Sequence, residues 1–269
     1  MSLTATYNGD LSRVQLSATS LGGSATYAVV ERRLDGGLWL PVRGGTRLPV
    51  QSGAAALDDF EFFAAEQTYR ITSFSDADVQ QAQFTDDITP TLDSVWLKSI
   101  SHPLLNRPVS VENWSEITRP SRSTVHQVVG RSTPVATSEL RGSRQFTLTL
   151  IADLDEDADT GEAGMLDLVL AAGGGVWFIH VPAAWPIPGG YVALGDVSID
   201  RVVPHGKVPH RITLPCTVVT PPAPQITGTL LTAAGLFRLY GSANALFAAN
   251  PTGRELLATI GDPEDLVVI

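Results

Sequence analysis

The chain has one cysteine, Cys216 in "RITLPCTVV", so it can form no internal disulfide and the thiol reads as a buried strand residue. Basic residues are outnumbered, 18 Lys and Arg against 28 Asp and Glu, for a net charge of −10. That balance argues against nucleic-acid binding, which needs basic surface to displace counterions. No apolar run reaches membrane-spanning length, so no insertion into a membrane is expected. "MSLTATYNGDLSR" lacks a basic segment followed by an apolar one, so no signal peptide is expected and synthesis is placed in a cytoplasm. His-Glu-x-x-His, Gly-x-Ser-x-Gly, paired cysteines and a P-loop are all missing. "GGG" at 173–175 follows a predicted helix rather than opening one, so it reads as a C-cap and not a phosphate cradle. His205 and His210 lie in a Gly/Pro turn, poor ground for convergent ligands, and His180 lies in an apolar strand as a satisfied core residue. No catalytic, cofactor-binding or metal residue is therefore assigned, and no cofactor is expected. A pair of glycosidase carboxylates stays open, because sequence cannot pair them.

What is present points to a mainly β (α+β) chain. Apolar residues make up 43% and charged residues 17%, which suits packed domains. In residues 1–88, "RVQLSAT" (13–19), "ATYAVVERRL" (25–34), "LWLPVR" (38–43), "QTYRITSF" (67–74) and "VQQAQFT" (79–85) read as strands punctuated by Gly. So many short strands predict a small β-sandwich. "LDDFEFFAAEQTYRITSF" resembles the E–F corner of a fibronectin type III module, which would make Tyr69 the corner tyrosine. "DDITPTLD" (86–93) reads as a linker.

In residues 94–224, "SVWLKSI", "RPVSVENW", "STVHQVVG", "PVATSEL", "RQFTLTLIA", "GVWFIHVP", "YVALGDVSIDRVV" and "RITLPCTVVT" read as strands. "AGMLDLVLAAGGG" (163–175) reads as one isolated helix, which argues for α+β rather than a βαβ arrangement. The acidic stretch "DLDEDADTGE" (153–162) fails as a calcium loop. Started at Asp153, its sixth and twelfth positions are Ala158 and Gly164, where a turn Gly and a bidentate Glu are required. It reads instead as a solvated loop feeding the helix, with Asp159 and Glu162 as a capping box, and a weak cation site is the other reading.

Residues 226–269 carry an internal repeat of ten. "TAAGLF" (232–237), "SANALF" (242–247), "TGRELL" (252–257) and "DPEDLV" (262–267) each pair a helix N-cap with two apolar residues four and five positions on. They predict four short helical turns that dock on a partner or a neighbouring subunit.

Charge is unevenly laid out. Lys98, Arg107, Arg119, Arg122, Arg131, Arg141 and Arg144 face only Glu112, Glu116 and Glu139 in the same stretch, whereas 153–167 is purely acidic. Ordinary solvated surface explains this, as does a basic segment of one copy meeting the acidic loop of the next in a ring.

"SVWLKSISHPLLNRPV" with "RPSRSTVHQVVGRSTPVATSELRGSRQFTLTL", the acidic loop and helix, "GGGVWFIHVP", "PIPGGYVALGDVSIDRV" and "RITLPCTVVTPP" form an ordered series. The series resembles the minor tail proteins, and the distal tail proteins, of long-tailed (siphovirus-type) phages of actinobacteria. That resemblance implies a tail-tube-like β-sandwich at 94–224 with a flanking helix at 162–172. It implies a virion structural protein of the tail tip, forming a homo-oligomeric, hexameric ring. Its partners would be the tail tube protein, the tape measure protein and tip hub or fibre proteins, with DNA passing through unbound. In many distal tail proteins the extra domain follows the ring domain or is inserted in it; here the fibronectin-like module precedes it. Two other readings stand beside this one. One is an adhesin or carbohydrate-binding module using Trp39, Trp96, Trp114, Trp177 or Trp185 as sugar platforms, with Trp39 and Trp177 expected in the core and Trp185 exposed. The other is a cell-wall hydrolase.

Overall fold

A computed structural model describes residues 2–127, 129–130, 132–138, 140–152, 170, 175–183, 185–201, 210–224, 244–245 and 248. The chain is mainly β. The helix expected at 162–172, the acidic loop 153–162, His205 and nearly all of the ten-residue repeats lie outside the described residues. Two compact units emerge. The first comprises Met1–Pro108, His180–Pro186 and Pro222–Ile269, and the second Val109–Ile179 and Ile187–Pro221.

The first unit holds a two-sheet sandwich. One sheet orders β1 (Ser2–Asn8), β2 (Arg13–Thr19) and β6 (Ala55–Asp59). The other orders β4 (Leu40–Pro41), β3 (Tyr27–Leu34), β7 (Gln67–Phe74) and β8 (Gln80–Ile88), with β5 (Leu48–Pro49) also on β3. The alternation of apolar residues sets the faces. Val14, Leu16 and Ala18 of β2 point inward, as do Ala28 and Val30 of β3 and Tyr69 and Ile71 of β7, and all join one core. The strands expected at 13–19 and 67–74 form with those bounds. The one expected across 38–43 shrinks to two residues. The expected linker begins later than its composition suggests, because β8 runs through Asp86, Asp87 and Ile88 in register with Tyr69, Thr68 and Gln67. The Asp86 carboxylate accepts the Ala5 amide at 2.7 Å, a role the local sequence does not announce. The first unit also takes in β9 (Val95–Ser99), beyond the 1–88 read from sequence.

The second unit centres on β13 (Gln145–Ala152) and β17 (His210–Val218). Their inward residues pair face to face: Phe146 with Cys216, Leu148 with Leu214, and Leu150 with Ile212. β10 (Arg107–Trp114) flanks β13, and β15 (Gly190–Leu194) joins β14 (Val176–His180) to β17. The single run expected over 191–203 is two strands, β15 and β16 (Ser198–Arg201), which share the same side of β17. The ladder changes hands beside Pro215, which has no amide hydrogen to give; its carbonyl accepts the Gly195 amide at 2.7 Å in the connecting turn. β11 (Ser123–His126) and β12 (Val135–Ser138) form a separate two-stranded sheet.

Candidate functional site

Three features carry polar chemistry or unsatisfied surface: a buried charged hub in the first unit, a polar cleft in the second, and an exposed arm in the second.

The hub follows from strand parity. In "YAVVERRL" the alternation that buries Ala28 and Val30 buries Arg32 as well. Its guanidinium bonds both carboxylate oxygens of Asp59. Tyr69 Oη donates to Asp59 Oδ2 at 2.7 Å and the Glu61 amide donates to Oδ1 at 2.8 Å, so one carboxylate organises three segments. The expected corner tyrosine is thus buried at the start of β7, with its hydroxyl on a side-chain carboxylate ten residues upstream. Burial pushes the Tyr69 hydroxyl pKa well up, and the Asp59 charge adds to it. Burial alone would lower the Arg32 pKa; Asp59 reverses this and raises it.

Beside them sits Lys98, 1% exposed. It was counted above with a basic surface segment, and the structure corrects this: its ammonium faces inward. Nζ donates to the carbonyls of Ser12 and Phe60, both at 2.7 Å, and lies 2.9 Å from His180 Nδ1. It also stands 4.7 Å from the Phe62 ring centroid, and Phe62 meets His180 edge to face at 4.5 Å. Burial drives the Lys98 amine down to about 7, against the pull of Asp59 and Glu61. Burial and the Lys98 charge drive His180 down to about 2, so the imidazole is neutral and Nδ1 accepts. Arg43 completes the group, donating from Nε to Glu61 at 2.6 Å. An amine, an imidazole and two carboxylates can do acid–base work where a substrate reaches them. Lys98, His180, Asp59 and Glu61 are all buried, and they bond to other groups of the same chain. The hub holds strands together.

The cleft arises from a β-bulge. β10 pairs Val111 with Leu150 and Asn113 with Thr149, so Glu112 is the extra residue and is re-aimed. Its carboxylate takes both arms of the Arg211 guanidinium at 2.6 Å each. Hydrogen bonding from Arg211 lowers the Glu112 pKa, and the same bond raises that of Arg211. Glu112, Asn113, Thr149 and Arg211 line a cavity of about 340 Å³. Sequence reading counted Glu112 only as a charge; a bulge leaves no mark in the alternation of "RPVSVENW".

The arm runs from 115 to 144. Every residue there whose exposure is described is exposed, except Gly142. Its base is pinned: Thr118 and Gln145 exchange backbone bonds at 2.8 Å, and the Gly142 amide donates to the Pro120 carbonyl at 2.9 Å. A Cβ on Gly142 would stand 2.8 Å from the Pro120 ring, so only glycine closes this base. Beyond it, β11 and β12 pair through four register positions. Val125, Val129, Val135 and Leu140 are exposed on it, Val129 completely. Arg119, Arg122, Arg141 and Arg144 are exposed too, and none has an ion-pair partner among the described residues.

The tryptophans divide. Trp177 is core, as expected, and Trp96 is buried. Trp185 is 45% exposed, also as expected. Trp39 is corrected: it is half-buried outside the core, its ring engaged by the guanidinium groups of Arg33 at 4.4 Å and Arg70 at 4.1 Å. Trp114 is half-buried. Cys216 is buried as read, its thiol donating to the Leu214 carbonyl. His210, at the start of β17, is half-buried. No helix among the described residues is long and apolar enough to cross a membrane.

No protein-family model matches the chain, and no curated protein matches its sequence.

Proposed function

We propose that this chain is a structural subunit of a phage tail tip, a distal or minor tail protein. In this reading it assembles into a hexameric ring that joins the tail tube to the tip and continues the DNA channel. The observation that supports it best is the exposed arm. A lone two-stranded hairpin is marginal in water, and this one exposes Val125 and Val135 beside Thr124, His126 and Thr137. Such a surface is stable when a neighbour covers it. Its arginines, without an ion-pair partner among the described residues, suit an acidic neighbour, and a further copy of a chain with net charge −10 is one. Head-to-tail contact of an arm with a different surface of the next copy closes into rings. The same acidic balance would keep passing DNA from adhering to a channel wall. Tube, tape measure and hub or fibre proteins would be the neighbours in the virion. The role is structural, with no catalytic step.

The test is mass photometry over a concentration series, alone and with a tail tube protein, with negative-stain averages of any large species. The expected result is a closed six-fold ring that is lost in a Val125→Thr/Val135→Thr variant of unchanged Tm. A chain that stays monomeric with tube protein present overturns the reading. Exposure of Trp185 favours one other reading, a sugar-binding module of the tail. Glycan binding by the monomer, lost on Trp185→Ala, would establish that one instead.

A further inference from the structure

The polar cleft of the second unit is built on three neighbouring strands. Asn113 of β10 stands opposite Thr149 of β13, and Arg211 of β17 stands opposite Ile151, two positions along β13. Residues two apart on a strand share a face, so Thr149 and Arg211 belong to one surface. The bulge brings Glu112 to the same place, where it accepts from Nε and Nη2 of Arg211. The cleft measures about 340 Å³, at the lower end of the roughly 300–1,000 Å³ of small-ligand sites.

Hydrogen-bonding capacity is left over in it. Thr149 Oγ1, Asn113 Nδ2 and Arg211 Nη1 have no partner among the described residues; the Asn113 side chain is used through Oδ1, which accepts the Trp114 amide at 2.8 Å. Each Glu112 oxygen keeps a lone pair beyond the one Arg211 takes. The charges of Glu112 and Arg211 cancel, and Asp200, opposite Arg211 on β16, adds a negative one. An anionic ligand is therefore disfavoured, and a cation finds the Glu112 carboxylate already held. An apolar ligand leaves the lining unpaired. A neutral polyhydroxyl compound meets each condition, because every hydroxyl both donates and accepts.

We propose that Glu112, Asn113, Thr149 and Arg211 form a subsite for one neutral sugar residue. Asn113 and Arg211 Nη1 donate to the sugar, Glu112 accepts from it, and Thr149 does both. All four side chains stand on strands, which hold them in place before the ligand arrives. Among the described residues no aromatic ring lines the cleft, so affinity rests on hydrogen bonds that replace those to water and is on the order of millimolar. The site lies in the second unit and Trp185 in the first, so the inference depends neither on the ring nor on a sugar platform at Trp185.

The test uses the full chain and a panel of neutral sugars: glucose, galactose, mannose, rhamnose, arabinose and N-acetylglucosamine. Saturation-transfer NMR detects weak binding, and the Arg211 Nε–H signal reports on the site itself. The expected result is transfer to at least one sugar at tens of millimolar, with a saturable shift of the Arg211 signal. Thr149→Val, which keeps the side-chain shape, should raise the Kd roughly tenfold, and Arg211→Ala should abolish binding. Both variants should keep the wild-type urea midpoint, and Trp185→Ala should leave the Kd unchanged. No transfer to any sugar of the panel overturns the proposal. Binding that survives Arg211→Ala, or that is lost in Trp185→Ala, places the sugar elsewhere and overturns it too. A shift of the Arg211 signal caused by acetate and by no sugar would make the cleft an anion site instead.

Discussion

The ammonium of Lys98 donates to the backbone carbonyl of Ser12, 86 positions away, at 2.7 Å. Ser12 has a φ of 43°, a left-handed conformation that non-glycine residues adopt at a cost, and it is fully buried. The same ammonium takes the Phe60 carbonyl at 2.7 Å, so one side chain satisfies two otherwise internal acceptors from separate segments.

Replacing Lys98 with Met keeps the apolar stem and removes the donor. Ser12 and Phe60 are then left with desolvated carbonyls, which should cost roughly 2–4 kcal/mol by urea unfolding. Stability should also change its pH dependence. With the Lys98 pKa near 7 in the folded chain and 10.5 as the reference, the unfolded state binds more protons between those values. Wild-type stability therefore rises with pH from about 7 towards 10.5 and levels off below about 7, where both states hold the proton. Measured from pH 7 to 8.5 against Lys98→Met, the wild type should show the steeper rise. Parallel curves would refute this.

Asp59→Asn leaves Arg32 buried beside a neutral amide. Breaking a buried pair from one side typically costs about 3–5 kcal/mol, and a drop of that order is expected from denaturant midpoints. Tyr69→Phe removes a single bond to a charged acceptor and should cost about 1.5–3 kcal/mol. The double variant should lose less than the sum of the two, because both act on one carboxylate. Strict additivity would show that the two contacts are independent.

Cys216 should be chemically silent in the native chain. Burial pushes its thiol up to about 12 and the residue is 2% exposed. Ellman's reagent at pH 8 should find no thiol without denaturant and one in urea. Rapid native reaction would mean that β17 opens readily.

Glu112 is exposed, so its bond to Arg211 is read by titration rather than by stability. Its carboxyl carbon signal should titrate below the ordinary 4.5 and move back up in Arg211→Ala. An unchanged midpoint would show that the ion pair does not persist in solution. The two proteins should unfold at the same urea midpoint.

Much of the fold was legible. Alternation and turn residues placed β2, β7 and β10 at their observed bounds, because a half-buried strand imposes period two on its own residues. The buried state of Trp177 and Cys216 was legible for the same reason. β1 and β6 were not, since "SLTATYN" and "AALDD" owe their strand conformation to β2, which pairs with both. Trp39 misled: its apolar neighbours suggested core, but the strand begins only at Leu40 and the ring settles against Arg33 and Arg70.

The amino-acid order by itself determined where strands such as β2, β7 and β10 lie, which of their faces turns inward, that no internal disulfide forms and that the chain is acidic. These are local or additive properties, set by side-chain period, turn stereochemistry and a count of charges. Only tertiary structure decided that Arg32 and Asp59 meet, that Lys98 belongs inside, that a bulge aims Glu112 at Arg211 and that the 115–144 arm stands uncovered. Each depends on partners tens of positions away or, for the arm, on the absence of one among the described residues. Free energies of pairing and burial belong to both partners at once.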